Sequence, residues 1–206
     1  MNYPQSRILV FAKEPDPGRV MTRLIPLLGA QAAARLHSRF VHNTLEKACG
    51  AGLAPVELWC SPSIETAFFQ DCLQRFDITL QLQATGDLGQ RMHHATGDAL
   101  GRGTSAVLVG TDCPGLRAAD LEEALAALAR GAGAVLGPAR DGGYYLVGLS
   151  QPVPHLFDSL EWGTATVFPD TVRRLEDRDI GYHRLVERDD VDTPEDYRRL
   201  VDPSSA

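Results

Sequence analysis

At 206 residues the chain is long enough for one domain with a full core and too short for two generous ones. A hydrophobic fraction of 44% with 23% charged residues excludes a disordered, collagen-like or fibrous chain. A formal charge of -7 excludes broad binding to nucleic-acid backbone, which requires a basic surface that releases counterions from phosphates. In chain order, the first apolar run covers residues 8–12 and reads as a strand, followed by a loop rich in Pro and Gly and a helix over 30–49. A strand at 56–60, a helix at 64–75 and a strand at 78–83 come next, and 86–101 turns helical after its first turn. Residues 106–110 form a buried-strand candidate with Thr111-Asp112-Cys113-Pro114 at its C-terminal end. A helix over 118–130, two apolar runs at 134–137 and 144–149, a helix near 165–178 and a strand at 182–185 follow. The acidic stretch 187–192 then leads into a terminal helix opened by Thr193-Pro194-Glu195-Asp196.

Short apolar runs alternating with helical stretches predict parallel strands joined by crossover helices, with no repeat and no linker, so residues 1–206 are expected to form a single α/β domain. The four cysteines make no CxxC pair and lack zinc-ligand spacing, which predicts reduced thiols. The first seven residues lack the pattern of a signal peptide, and no apolar run nears the roughly eighteen residues of a membrane span. Cytoplasmic location is the expectation.

Six segments could carry chemistry. Residues 13–24 leave the first strand with Lys13, Arg19 and Arg23, and backbone N–H groups with such cations can wrap a phosphate. The alternative is a solvated turn stiffened by prolines, and the GxxxxGK[ST] spacing of a Walker loop is absent. Gly86-Asp87-Leu88-Gly89-Gln90-Arg91 precedes a helix whose N-terminus could face an anion, although Asp87 is also a natural N-cap. Asp112 follows directly on a buried strand, where open α/β sheets bind ligands, and can offer a hard oxygen to Mg²⁺; a turn before Pro114 is the plain alternative. Asp141-Gly142-Gly143 reads as a hairpin turn in which Asp141 could engage hydroxyls or act as a base. Trp162, in Glu161-Trp162-Gly163-Thr164, could stack on a sugar face or simply fill the core. Thr193 to Asp196 explain themselves as a helix N-terminal box, but Asp190 and Asp192 do not, and a divalent cation would relieve their repulsion.

Taken in order, Phe11-Ala12-Lys13, Pro17-Gly18, Thr22-Arg23-Leu24, Gly86-Asp87-Leu88-Gly89, Arg91-Met92, Thr111-Asp112-Cys113-Pro114, Asp141-Gly142-Gly143-Tyr144-Tyr145, Trp162-Gly163-Thr164 and Asp190-Val191-Asp192-Thr193 resemble a family of GT-A-like proteins. That family was long labelled a domain of unknown function and is often described as glycosyltransferases. Its relatives include molybdenum-cofactor and phospholactate guanylyltransferases and sugar-nucleotide cytidylyltransferases. The resemblance implies a three-layer α/β/α fold with a doubly wound, mostly parallel sheet. It implies a nucleotide under the first loop, with Lys13, Gly18, Arg23, Gly86, Asp87, Arg91 and Asp112 in its binding site. Mg²⁺ or Mn²⁺ would sit at Asp112 and Asp192, with Asp190 two residues away as a rival ligand, while Asp141 and Arg23 would assist catalysis. Where the family usually carries Lys before Thr-Arg-Leu, this chain has Met21. The expected activity is transfer of a sugar from a nucleotide diphosphate donor to a small acceptor. The alternatives are nucleotidyl transfer from a nucleoside triphosphate, and a nucleotide-binding regulator that has lost catalysis.

Overall fold

The computed structural model describes residues 1–202. Among these residues seven strands form one sheet: β1 (Ser6–Lys13), β2 (Val56–Ser61), β3 (Ile78–Leu82), β4 (Ser105–Val109), β5 (Ala134–Pro138), β6 (Tyr144–Leu149) and β7 (Tyr182–Arg184). Their order is β3-β2-β1-β4-β6-β5-β7. The first four strands pair in parallel, β6 runs antiparallel to both its neighbours, and β5 pairs in parallel with β7. The chain winds outward from β1 through β2 to β3 and then returns to the other side of β1 as β4. The order therefore reverses between β1 and β4, and a crevice opens beyond the carboxyl ends of strands at such a point. Lys13 ends β1 and Asp112 lies three residues past β4, so both stand at that crevice.

Among the described residues there are seven α-helices: α1 (Ile25–Leu28), α2 (Ala30–Gly50), α3 (Ala67–Arg75), α4 (Leu88–Arg102), α5 (Ala118–Ala129), α6 (Val167–Glu176) and α7 (Pro194–Val201). Successive strand side chains point to opposite faces, and strands covered on both sides need near-continuous apolar sequence. Along β1, Ile8 and Val10 join a cluster with Leu45 of α2 and Leu121 and Leu125 of α5, whereas Leu9 and Phe11 join Met92, Ala95 and Ala99 of α4 on the other side. The result is the three-layer α/β/α architecture. Among the described residues no helix is long and apolar enough to cross a membrane.

The structure departs from the sequence expectations mainly at element ends. The second long helix begins at Ala67, because the Thr66 hydroxyl accepts from the Phe69 N–H and stops it there, leaving Ile64 outside. The helix expected over 165–178 spans Val167–Glu176, and Asp179 leaves helical geometry with φ 54°. A short 3₁₀ turn, Thr22–Leu24, and α1 were read as loop; Pro26 sits in the first turn of α1, where its missing N–H is harmless. Met21 precedes this turn in the left-handed conformation, at φ 46°.

Candidate active site

The basic side of the crevice is built from three separated segments. His37, on the buried face of α2, places Nε2 3.0 Å from the Lys13 carbonyl oxygen and Nδ1 3.6 Å from Asp112 Oδ1. Its ring thus bonds the end of β1 and stands beside the acid after β4, with Nδ1 buried and without a hydrogen-bond partner. Gln83, just past β3, is buried, and its amide N–H groups donate to the carbonyls of Ala12 and Trp59 at 3.3 and 2.7 Å. Its Oε1 accepts from Arg91 Nη1 at 3.1 Å, while Arg91 Nε donates to the Asp87 carbonyl at 3.2 Å. Two hydrogen bonds thus hold the Arg91 guanidinium at the mouth of α4. A cavity of about 390 Å³ opens here, lined by Lys13, Arg19, His37, Arg91, Asp112 and Asp192 among others.

The acidic side is built by the second half of the chain. The β5–β6 turn carries Asp141, whose Oδ1 accepts from the Gly143 N–H at 2.8 Å. Gly142 has φ 91°, and a Cβ there would lie 2.4 Å from Ala165 Cα, so only glycine lets the turn seat against the segment before α6. The Phe168 N–H donates to the Gly142 carbonyl at 2.8 Å and completes that junction. Trp162 then meets Tyr144 edge to face, with ring centroids 6.1 Å apart. A smaller cavity of about 230 Å³ is lined by these rings and by Asp112, Asp141 and Asp190. Phe11, Leu88, Gly110 and Asp112 line both cavities, so the two adjoin at Asp112.

The acidic stretch reaches the crevice because its backbone is pinned. The Val191 N–H donates to the Asp112 carbonyl at 2.8 Å, and the Arg188 N–H to that of Pro138 at 3.0 Å. The Arg188 guanidinium grips the carboxylate of Asp120 with two hydrogen bonds, at 2.7 and 3.2 Å, in a pair largely removed from solvent. Burial, and then the carboxylates of Asp141, Asp196 and Asp192, push the Asp190 carboxyl up to about 6. Cys113, beside Asp112, lies in the same wall, and burial pushes its thiol up to about 11.

Lys13, Arg91, Asp112 and Asp192 therefore come together in the basic cavity, and Asp112 meets Asp141 in the acidic one. Arg23 reaches the rim through an ion pair with Asp192. Gly18, Gly86 and Asp87 stand outside both linings. The Asp87 carboxylate caps α4 by accepting from the Gln90 N–H at 2.8 Å, with Gln90 Oε1 accepting in return from the Asp87 N–H at 3.0 Å. Sequence reasoning did not single out His37 or Gln83. A lone His on the apolar face of a helix and a Gln after a strand carry no local signal, and only the packing of α2 and β3 against β1 reveals them.

Among the described residues no three His, Cys, Asp or Glu side chains converge as a ready-made cage for a metal ion. Mg²⁺ that arrives with phosphates needs only one or two protein carboxylates, filling its remaining positions with phosphate oxygens and water. Asp112 and Asp190 line one cavity, and a cation there would offset both the burial of the Asp190 carboxylate and its repulsion from Asp141. The donor set fits such a substrate-borne ion. Asp192 is already engaged by Arg23.

Residues 44–164 match the family described as "Uncharacterized protein conserved in bacteria (DUF2064)". Among curated proteins none matches. A crystal structure from Desulfovibrio desulfuricans G20, provisionally named a nucleotide-diphospho-sugar transferase, is 33% identical with a TM-score of 0.85, over 96% of this chain and 86% of that one. A 4-diphosphocytidyl-2C-methyl-D-erythritol synthase from Anaerococcus prevotii DSM 20548 shares the fold at 13% identity and a TM-score of 0.62, over 94% of each chain. Rv0371c from Mycobacterium tuberculosis H37Rv, solved in complex with manganese, does so at 18% identity and 0.57, over 95% of this chain and 97% of that one. The chain belongs to the DUF2064 family and carries the nucleotide-diphospho-sugar transferase fold.

Proposed function

We propose that the protein is a metal-assisted transferase that binds the diphosphate of a nucleotide-sugar in the basic cavity and passes the sugar to a small acceptor in the acidic one. The observation that carries this reading is the meeting of a cavity lined by Lys13, Arg19 and Arg91 with one lined by carboxylates and aromatic rings, at a shared Asp112. Lys13 and Arg91 hold the diphosphate through charge-assisted hydrogen bonds, with Arg23 at the rim. Asp112 and Asp190 are the carboxylates that would hold Mg²⁺ or Mn²⁺, whose contribution when bound is to neutralise charge on the departing diphosphate. In the transfer the acceptor oxygen bonds to the anomeric carbon, the bond from that carbon to the phosphate oxygen breaks, and its electron pair leaves with the nucleoside diphosphate. The acceptor proton passes to Asp141, which the turn holds toward the cavity. Trp162 and Tyr144 supply the apolar wall on which a sugar ring stacks.

A second reading, nucleotidyl transfer with release of pyrophosphate, draws support from the same cluster of cations, which suits a triphosphate as well as a diphosphate. The name of one fold neighbour, a diphosphocytidyl-methylerythritol synthase, is consistent with it. Incubation with UDP-, GDP-, ADP- and TDP-sugars plus Mn²⁺ separates the two. Release of nucleoside diphosphate is expected; pyrophosphate released from a nucleoside triphosphate instead would replace the first reading with the second, and neither product would refute both.

A further inference from the structure

The two cavities differ in charge, and that difference bears on the second substrate. No Lys, Arg or His is among the described residues that line the smaller cavity, whereas Asp112, Asp141 and Asp190 all do. Arginines on the surrounding segments are committed elsewhere: Arg140 pairs with Asp189 at 2.8 Å, Arg188 with Asp120, and Arg174 donates to the carbonyls of His155 and Leu156. Among the described residues the crevice cations Lys13 and Arg19 line the other cavity. Even with one divalent cation between Asp112 and Asp190, the Asp141 charge remains uncompensated. A phosphate monoester would bring a further charge of about -1.5 to -2 into this space.

We propose that the acceptor carries no anionic group: it is a neutral polyol or an amine, seated with an apolar face against Trp162 and its hydroxyl or ammonium groups toward Asp141. Ammonium groups gain additionally from an aromatic face, which attracts cations through its quadrupole. Phosphorylated and carboxylated acceptors are rejected by charge. The cavity of about 230 Å³ has room for a single ring, since roughly 150 Å³ already accommodates benzene. This inference rests on the assignment of the acidic cavity to the acceptor, and it disfavours the form of the second reading in which a phosphorylated co-substrate attacks the nucleoside triphosphate.

Benzylamine, benzyl alcohol and benzyl phosphate share one ring and differ only in charge, so they make a direct test. Trp59 is 2% exposed and Trp162 lines the cavity, so a ligand-dependent change in tryptophan fluorescence reports on Trp162, with Trp162→Phe as the control. The titrations are run on the whole protein, alone and with UDP and Mg²⁺. Benzylamine and benzyl alcohol are expected to bind at least about 100-fold more tightly than benzyl phosphate, the scale on which like charges brought together discriminate. The gap should narrow in Asp141→Asn. Benzyl phosphate binding as tightly as the other two overturns the proposal, and so does the absence of binding by all three. Calorimetry of UDP with Mg²⁺ tests the nucleotide assignment separately: failure there strikes the basic cavity, while the benzyl probes still judge the acidic one.

Discussion

The two halves of the crevice are made by different means. The basic half hangs on β1, β2 and β3, all parallel, and its side chains are aimed by buried hydrogen bonds from His37 and Gln83 to strand-end carbonyls. The acidic half hangs on the antiparallel β5–β6 hairpin and on an irregular stretch held by backbone pairing, by the largely buried Arg188–Asp120 pair and by more exposed pairs such as Arg140–Asp189. A parallel sheet presents its loops at one edge by construction, so a phosphate site there needs little beyond a suitable loop. The β5–β6 turn and the C-terminal end of β7 lie at that same edge, because β5 and β7 run in the direction of β4, but the stretch after β7 is irregular and takes its place through added struts. The acidic half should therefore be the easier one to dislodge.

The sharpest way to break this comparison is to cut the strut. Asp120→Ala leaves the Arg188 guanidinium without its partner in a largely buried position, and removal of one member of a buried pair costs about 3–5 kcal/mol. Denaturant unfolding measures the loss, and a cost below about 1 kcal/mol would show that the acidic stretch does not depend on it. At the shared edge, Asp112→Asn is expected to lower Mn²⁺-dependent nucleotide affinity at least about 100-fold, the upper end of what loss of even an outer metal partner costs. Unchanged affinity in calorimetry removes Asp112 from the site. On the basic side alone, Arg91→Ala should weaken nucleoside diphosphate binding about 10-fold or more, as expected for a charge-assisted contact worth about 1.5–3 kcal/mol. Nucleoside binding should be unaffected, so equal losses for both would argue against phosphate contact.

The smallest effect concerns pH. Asp190 holds its proton more tightly in the folded protein, at about 6, than its ordinary value of 3.8. Between those values the folded state binds more protons, so this group lowers stability as pH rises through the window and remains a standing cost above it. Without divalent cation, Asp190→Asn should raise the melting temperature at pH 8 and change it little near pH 4. An equal shift at both pH values would mean that ionisation of the buried Asp190 carboxyl is not the cause.

Much of this was legible before folding. The apolar runs announced the seven strands to within a residue or two at each end. Thr193 and Asp196 announced the terminal helix box, which forms with the Asp196 carboxylate 2.7 Å from the Thr193 N–H. These features are local: a strand needs only its own pattern of buried side chains, and a cap needs only a partner three residues on. Asp87 illustrates the ambiguity that locality leaves, because an acid before a helix serves as cap or ligand by the same chemistry, and here its carboxylate caps.

What residue order alone determined is the set of elements and the inventory of charged groups near them. What only the tertiary structure decided is which of those groups meet. Asp190 and Asp192 are two residues apart, yet one lines the cavity with Asp141 while the other pairs with Arg23. His37 acquires a role only because α2 packs against β1 beside β4. Such encounters depend on the reversal of strand order between β1 and β4, a property of how distant segments bury one another that no short stretch of sequence contains.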